Sequence, residues 1–131
     1  LSEFSLILSQ NVDPNTKIQV FELCKNGENL FELFYDKVNE DGNLVDDLFG
    51  ALRIIEDTSN RKLLPKKKFR SIIDKKLPYK LYEAKKGSIR IYLMHEENKG
   101  RVIITGGAKT KQNRDIKRAK NLIRAYYESQ E

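Results

Sequence analysis

Lys80, Tyr82, Arg90 and Tyr92 alternate along two apolar-rich runs, and Lys109, Lys111 and Arg114 follow a third run that ends in Gly106-Gly107. Cations and phenols two residues apart share one face of a strand, and such a face can hold a polyanion by charge and stack on its bases. The runs Tyr79 to Ala84, Ser88 to His95 and Arg101 to Thr105 read as strands joined by hairpins at "KKG" and "ENKG". With tight antiparallel connections, cross-strand partners sum to about 172 in the first hairpin and about 196 in the second. That register sets Lys80, Tyr82, Arg90, Tyr92 and Gly106 on one face, with Arg90 across from both Tyr82 and Gly106. Leu81, Ile89, Ile91, Leu93 and Ile103 form the other face, which is the core side. Gly106 and Gly107 then remove bulk beside Arg90 so that a sugar-phosphate backbone can approach, with Lys109, Lys111 and Arg114 as its rim. The alternative is an ordinary glycine turn before a solvated helix.

His95, the one histidine, stands at the "HEENKG" end of its strand, five residues from Arg90 and therefore roughly 16 Å away. One site does not use both, so His95 reads as a turn-flanking residue. Glu83 has core-face parity, which points to a structural ion pair rather than a general base. The single Cys24 has no disulfide partner within the chain and reads as a small buried apolar residue in a reducing, cytoplasmic setting.

The charge is divided along the chain. Residues 1–60 carry 4 basic and 12 acidic side chains, a net of −8, whereas residues 61–131 carry 21 basic and 7 acidic, a net of +14. A field of this kind attracts nucleic acid or an acidic protein segment; the plainer alternative is a solvated basic surface. No apolar run reaches the roughly 18 residues of a membrane span. At 131 residues, 39% hydrophobic and 34% charged, the composition fits one globular domain over 1–131.

Four further elements must position this face. Lys17 to Cys24 and Leu30 to Val38 flank "KNGEN", whose Asn26-Gly27 signals a tight turn, and so read as a β-hairpin. Residues 1–16 read as an N-terminal extension. Leu44, Leu48, Leu52 and Ile55 recur at helical spacing, with Gly50 a mild interruption. Asn60 to Pro78 is a basic connector with a helical turn around Phe69 to Asp74. A last helix over Gln112 to Glu128 packs Ile116, Ala119, Ile123, Tyr126 and Tyr127 and exposes Arg114, Lys117, Lys120 and Arg124.

The segments "LYE" at Leu81 to Glu83, "RIYL" at Arg90 to Leu93 and above all "GGAKTKQNRDIKRAK" from Gly106 resemble the RelE/ParE superfamily of bacterial type II toxins, in particular its HigB-like, phage-derived addiction-module killer branch. The resemblance covers about the last 55 residues. It implies an α+β fold: a small RelE-like domain with a twisted antiparallel sheet, helices packed on one face and a C-terminal helix. It also implies a cytoplasmic toxin that cuts messenger RNA at the ribosome, needs no metal or cofactor, and is silenced by a cognate antitoxin. In-line attack by a ribose 2′-hydroxyl requires a base, cations on the pentacoordinate phosphate and an acid for the leaving oxygen.

Carried over by position, Arg90 matches the family's phosphate-binding arginine and Lys80 its first catalytic lysine. Tyr82 stands where relatives have a second lysine and would be an acid or a stacking surface. Lys109, Lys111 and Arg114, with Lys85, Lys86 and Gly106, complete the implied phosphate-binding set. Tyr126 and Tyr127 read as core residues rather than counterparts of the family's C-terminal catalytic residue. Two other readings stand beside the nuclease: a ParE-like gyrase inhibitor, and an inactive nucleic-acid-binding relative.

Overall fold

The computed structural model describes residues 3–130 and has mixed α+β architecture. Strands β1 (Phe4–Leu8), β2 (Val20–Lys25) and the two-residue β3 (Glu28–Asn29) precede helices α1 (Leu30–Asp41) and α2 (Val45–Ser59). Strands β4 (Phe69–Ile72), β5 (Lys80–Lys86), β6 (Ile89–Glu96) and β7 (Gly100–Ala108) follow, then a 3₁₀ turn (Lys109–Lys111) and helix α3 (Gln112–Ser129). The sheet order is β1-β2-β7-β6-β5-β4, with β3 hydrogen-bonded to β2. The sheet is mixed rather than wholly antiparallel, because β2 runs parallel to β7 while the remaining pairs are antiparallel.

The three strands of the basic half and the last helix lie where the sequence pattern places them. Three other elements differ. Asn26 and Gly27 do make the tight turn, with φ of 53° and 81°, but the strand after it stops at Asn29. The Asn29 side chain accepts a hydrogen bond from the Glu32 N–H at 3.0 Å, so the following run enters a helix instead of a second strand arm. Leu30, Phe31 and Val38 are its buried residues. Phe69–Ile72 is a strand and not a helical turn, held by pairing with β5 and by Phe69 stacking on Tyr82, ring centroids 5.2 Å apart. The proposed N-terminal extension contains β1, which pairs with β2 at the sheet edge.

Helices cover both sheet faces. On one, α1 and α2 pack over Ala84, Ile89, Ile91, Leu93 and Ile103; on the other, α3 lays Ala119, Leu122, Ile123 and Tyr126 over Leu81, Tyr92, Met94, Val102 and Ile104. The face expected to be open is therefore a second core. Cys24 is buried, as expected, and burial pushes its thiol up. Tyr126 is buried and packs edge-on against Phe4, whereas Tyr127 is exposed.

Candidate nucleic-acid interface

Register decides which site residues meet. In the first hairpin Lys80 pairs with His95, Tyr82 with Leu93 and Lys85 with Arg90, a shift of three from the expected pairing. An odd shift reverses the face of every β5 residue. Lys80 and Tyr82 therefore lie on the α1–α2 face, while Arg90 and Tyr92 lie on the α3 face. Lys80 is also five residues along β5 from the partner of Arg90, roughly 16 Å. The expected trio of Arg90, Lys80 and Tyr82 does not converge.

A β-bulge between Tyr92 and Leu93 moves the second hairpin as well, so that Arg90 faces Gly107 and Ile91 faces Gly106. Each glycine is explained by a helix. A Cβ on Gly106 would lie 2.4 Å from the Phe34 ring of α1, and one on Gly107 would lie 1.9 Å from Asp115 Oδ2 of α3. The pair admits two packing side chains rather than opening a gap for phosphate.

Arg90 is buried beneath the first turn of α3, and its Nη1 donates to the carbonyls of Gly87 and Ile89 at 2.8 and 2.9 Å. Around it the α3 face holds a polar network inside the second core. Glu83, fully buried, accepts from Arg70 Nε and Gln112 Nε2, both at 2.7 Å, which is the structural ion pair its parity suggested. Asp115 is buried and pairs with Arg114 at 3.2 Å. Tyr92 is fully buried; burial first, then the nearby Glu83 carboxylate, hold its phenol well above the ordinary tyrosine range. Arg90 Nε, Tyr92 Oη and Asp115 Oδ2 are buried with no hydrogen-bond partner among the described residues.

Above this network lies the end of the sheet where β4 begins, β5 ends, β6 begins and β7 ends. Lys66, Lys67 and Lys68 lead into β4, and the Lys85 N–H donates to Lys68 O at 2.8 Å. Lys86 closes β5, and its aliphatic stem lies over Gly50 of α2, where a Cβ would come within 2.7 Å of Lys86 Cγ. The glycine that interrupts the helical pattern thus seats a lysine. Asp47 of α2 pins the turn by accepting from the Ser88 N–H at 3.3 Å. Lys109 and Lys111 follow β7, and the Lys109 N–H donates to Ser88 O at 2.8 Å.

Among the described residues these seven lysines form no ion pair; the carboxylates that do pair are engaged elsewhere. All but the half-buried Lys85 are exposed. Arg114 links this end to an open groove of about 840 Å³ beside α3, also lined by Lys25, Lys117 and Arg118. Lysines 66–68 were not among the residues singled out from the sequence, where they read as part of a connector; pairing of β4 with β5 brings them in. Compared with protein-family models, curated proteins and solved structures, the chain matches none. Among the described residues no helix is long and apolar enough to cross a membrane.

Proposed function

We propose that this chain acts on RNA as the toxin of a bacterial type II toxin–antitoxin pair, in the cytoplasm, cleaving messenger RNA at the ribosome without a metal. The observation that carries the reading is the gathering at one end of the sheet of seven lysines that have no carboxylate partner among the described residues, with Lys85 as the cross-strand partner of Arg90. Such a cluster neutralises successive phosphates of a single strand and releases their counterions. In this reading Lys85, across from Arg90, takes the place the resemblance gave to Lys80. Lys109, Lys111 and Arg114 hold the phosphate from the other side. An antitoxin with an acidic segment silences the protein by covering the same end.

A second reading, binding without cleavage, is favoured by the separation of Lys80 and Tyr82 from Arg90. It includes the gyrase-directed and inactive alternatives. The purified chain, incubated with a single-stranded RNA and with translating ribosomes in excess chelator, separates the two. Cleavage that survives chelation and disappears in Lys85→Ala supports the nuclease. Salt-sensitive binding with intact RNA supports the second reading, and no RNA binding at low salt overturns both.

A further inference from the structure

Arg101, near the start of β7, lays its guanidinium over a stacked aromatic pair. Its Cζ lies 5.2 Å from the Phe69 ring centroid and 5.5 Å from that of Tyr82. Nη1 donates to Thr58 Oγ1 at 2.5 Å, and this is its one hydrogen bond among the described residues. The Thr58 hydroxyl proton is already committed to Ile55 O at 3.0 Å, so its lone pair faces the arginine. Nε is buried and has no partner among the described residues. Burial lowers the pKa of the guanidinium, yet arginine keeps its charge at any physiological pH. The half-buried guanidinium has no carboxylate partner among the described residues, and five donors satisfied by one hydroxyl leave most of its hydrogen-bonding capacity free.

The arginine lines a cavity of about 270 Å³ together with Thr58, Arg61, Lys62, Leu64 and Phe69. At about 30 Å³ per water, this is room for a phosphoryl group and the start of whatever carries it. The charges favour phosphate over carboxylate. Asp57 is shared between Arg53 at 3.3 Å and Lys62 at 3.6 Å, whereas Arg61 and Arg101 form no ion pair among the described residues. Two unneutralised guanidinium groups match a phosphomonoester of charge about −1.5 to −2, with a planar fork suited to its oxygens. Lys80 and His95 extend the row of cross-strand partners from Arg101.

We infer that Arg101 and Arg61, with Thr58 holding the Arg101 guanidinium in place, form a phosphomonoester-binding pocket taking either free phosphate or the 5′-phosphate of a nucleotide chain. The pocket does not depend on the RNA-cleavage reading, since inorganic phosphate alone probes it. The arginine Nε–H resonances of the folded, ¹⁵N-labelled protein are followed while inorganic phosphate is added at constant ionic strength. A saturable shift of the Arg101 signal is expected, weakened about tenfold in Arg61→Asn, which removes one exposed cation and keeps a residue tolerant of the φ of 64° at that position.

A 5′-phosphorylated dinucleotide binding more tightly than its 5′-hydroxyl form identifies a nucleotide end as the ligand. Equal weakness of both, with phosphate saturating, identifies free phosphate. Absence of any Arg101 shift at tens of millimolar phosphate overturns the inference. So does a shift that sulfate, chloride and phosphate produce equally and that Arg61→Asn leaves unchanged.

Discussion

Replacing either glycine of the Gly106-Gly107 pair with alanine distinguishes a packing role from a phosphate gap. Neither residue has a positive φ, so backbone strain plays no part and the effect is steric. At Gly106 the new methyl would lie 2.4 and 2.5 Å from two atoms of the Phe34 ring. Ordinary carbon–carbon contact is about 3.5–4.0 Å, so the ring must retreat by about 1 Å. Phe34 is half-buried and packs against Phe31, ring centroids 6.3 Å apart, so its movement disturbs the core under α1.

Overpacking of this kind costs about 1–3 kcal/mol, or a Tm drop of about 3–12 °C for a domain of this size. At Gly107 the obstacle is the buried Asp115 carboxylate, 1.9 Å from the new methyl, and moving it also disturbs its bond to Arg114; the loss belongs at the upper end of that range. Urea titrations followed by circular dichroism measure both. A Gly106→Ala variant with an unchanged midpoint and weakened RNA binding would refute the packing argument and restore the phosphate gap.

Other variants test separate links. On single-stranded RNA, Lys85→Ala and Lys109→Ala each flatten the slope of log affinity against log salt by about 0.7, while Lys80→Ala leaves it unchanged; anisotropy titrations between 50 and 200 mM salt read this. Tyr92→Phe changes stability at neutral pH by less than about 1 kcal/mol, because the hydroxyl it removes has no partner among the described residues. Above pH about 10 an unfolded tyrosine loses its proton while Tyr92 in the fold keeps it. The unfolded state then binds fewer protons and stability falls by up to about 1.4 kcal/mol per pH unit. Tyr92→Phe removes that contribution, so its alkaline unfolding midpoint moves to higher pH; an unmoved midpoint contradicts the assignment. Asn29→Ala removes the α1 cap and costs about 1 kcal/mol in the same urea assay.

What the sequence disclosed follows from which signals are local. Alternation and the glycine turns located β5, β6 and β7, and helical spacing located α2 and α3. The strand reading of Leu30 to Val38 arose from its dense apolar content, although Asn29 and Glu32 carry the spacing of a helix cap. β4 has no local signature because its pairing with β5 and the stacking of Phe69 on Tyr82 are tertiary.

The site was misdrawn by register. The assumed hairpin pairing missed an odd shift, which turned Lys80 and Tyr82 to the other face, and the bulge beside Tyr92 has no residue type that announces it. The basic character of the chain's second half was plain from charge alone. That Lys66, Lys67 and Lys68 join Lys85, Lys86, Lys109 and Lys111 required the sheet order. Arg90, which the assumed register sets on the face away from the core, is buried under α3.

The most direct test of the account is to induce the chain in bacteria beside two variants and map messenger RNA ends during growth. One variant carries alanine at Lys85, Lys86, Lys109 and Lys111, and the other combines Lys80→Ala with Tyr82→Phe. Growth arrest with new RNA ends in the parent and in the Lys80/Tyr82 variant, and neither in the four-lysine variant at equal folded abundance, is the predicted result. Arrest and cleavage that persist without the four lysines would contradict it.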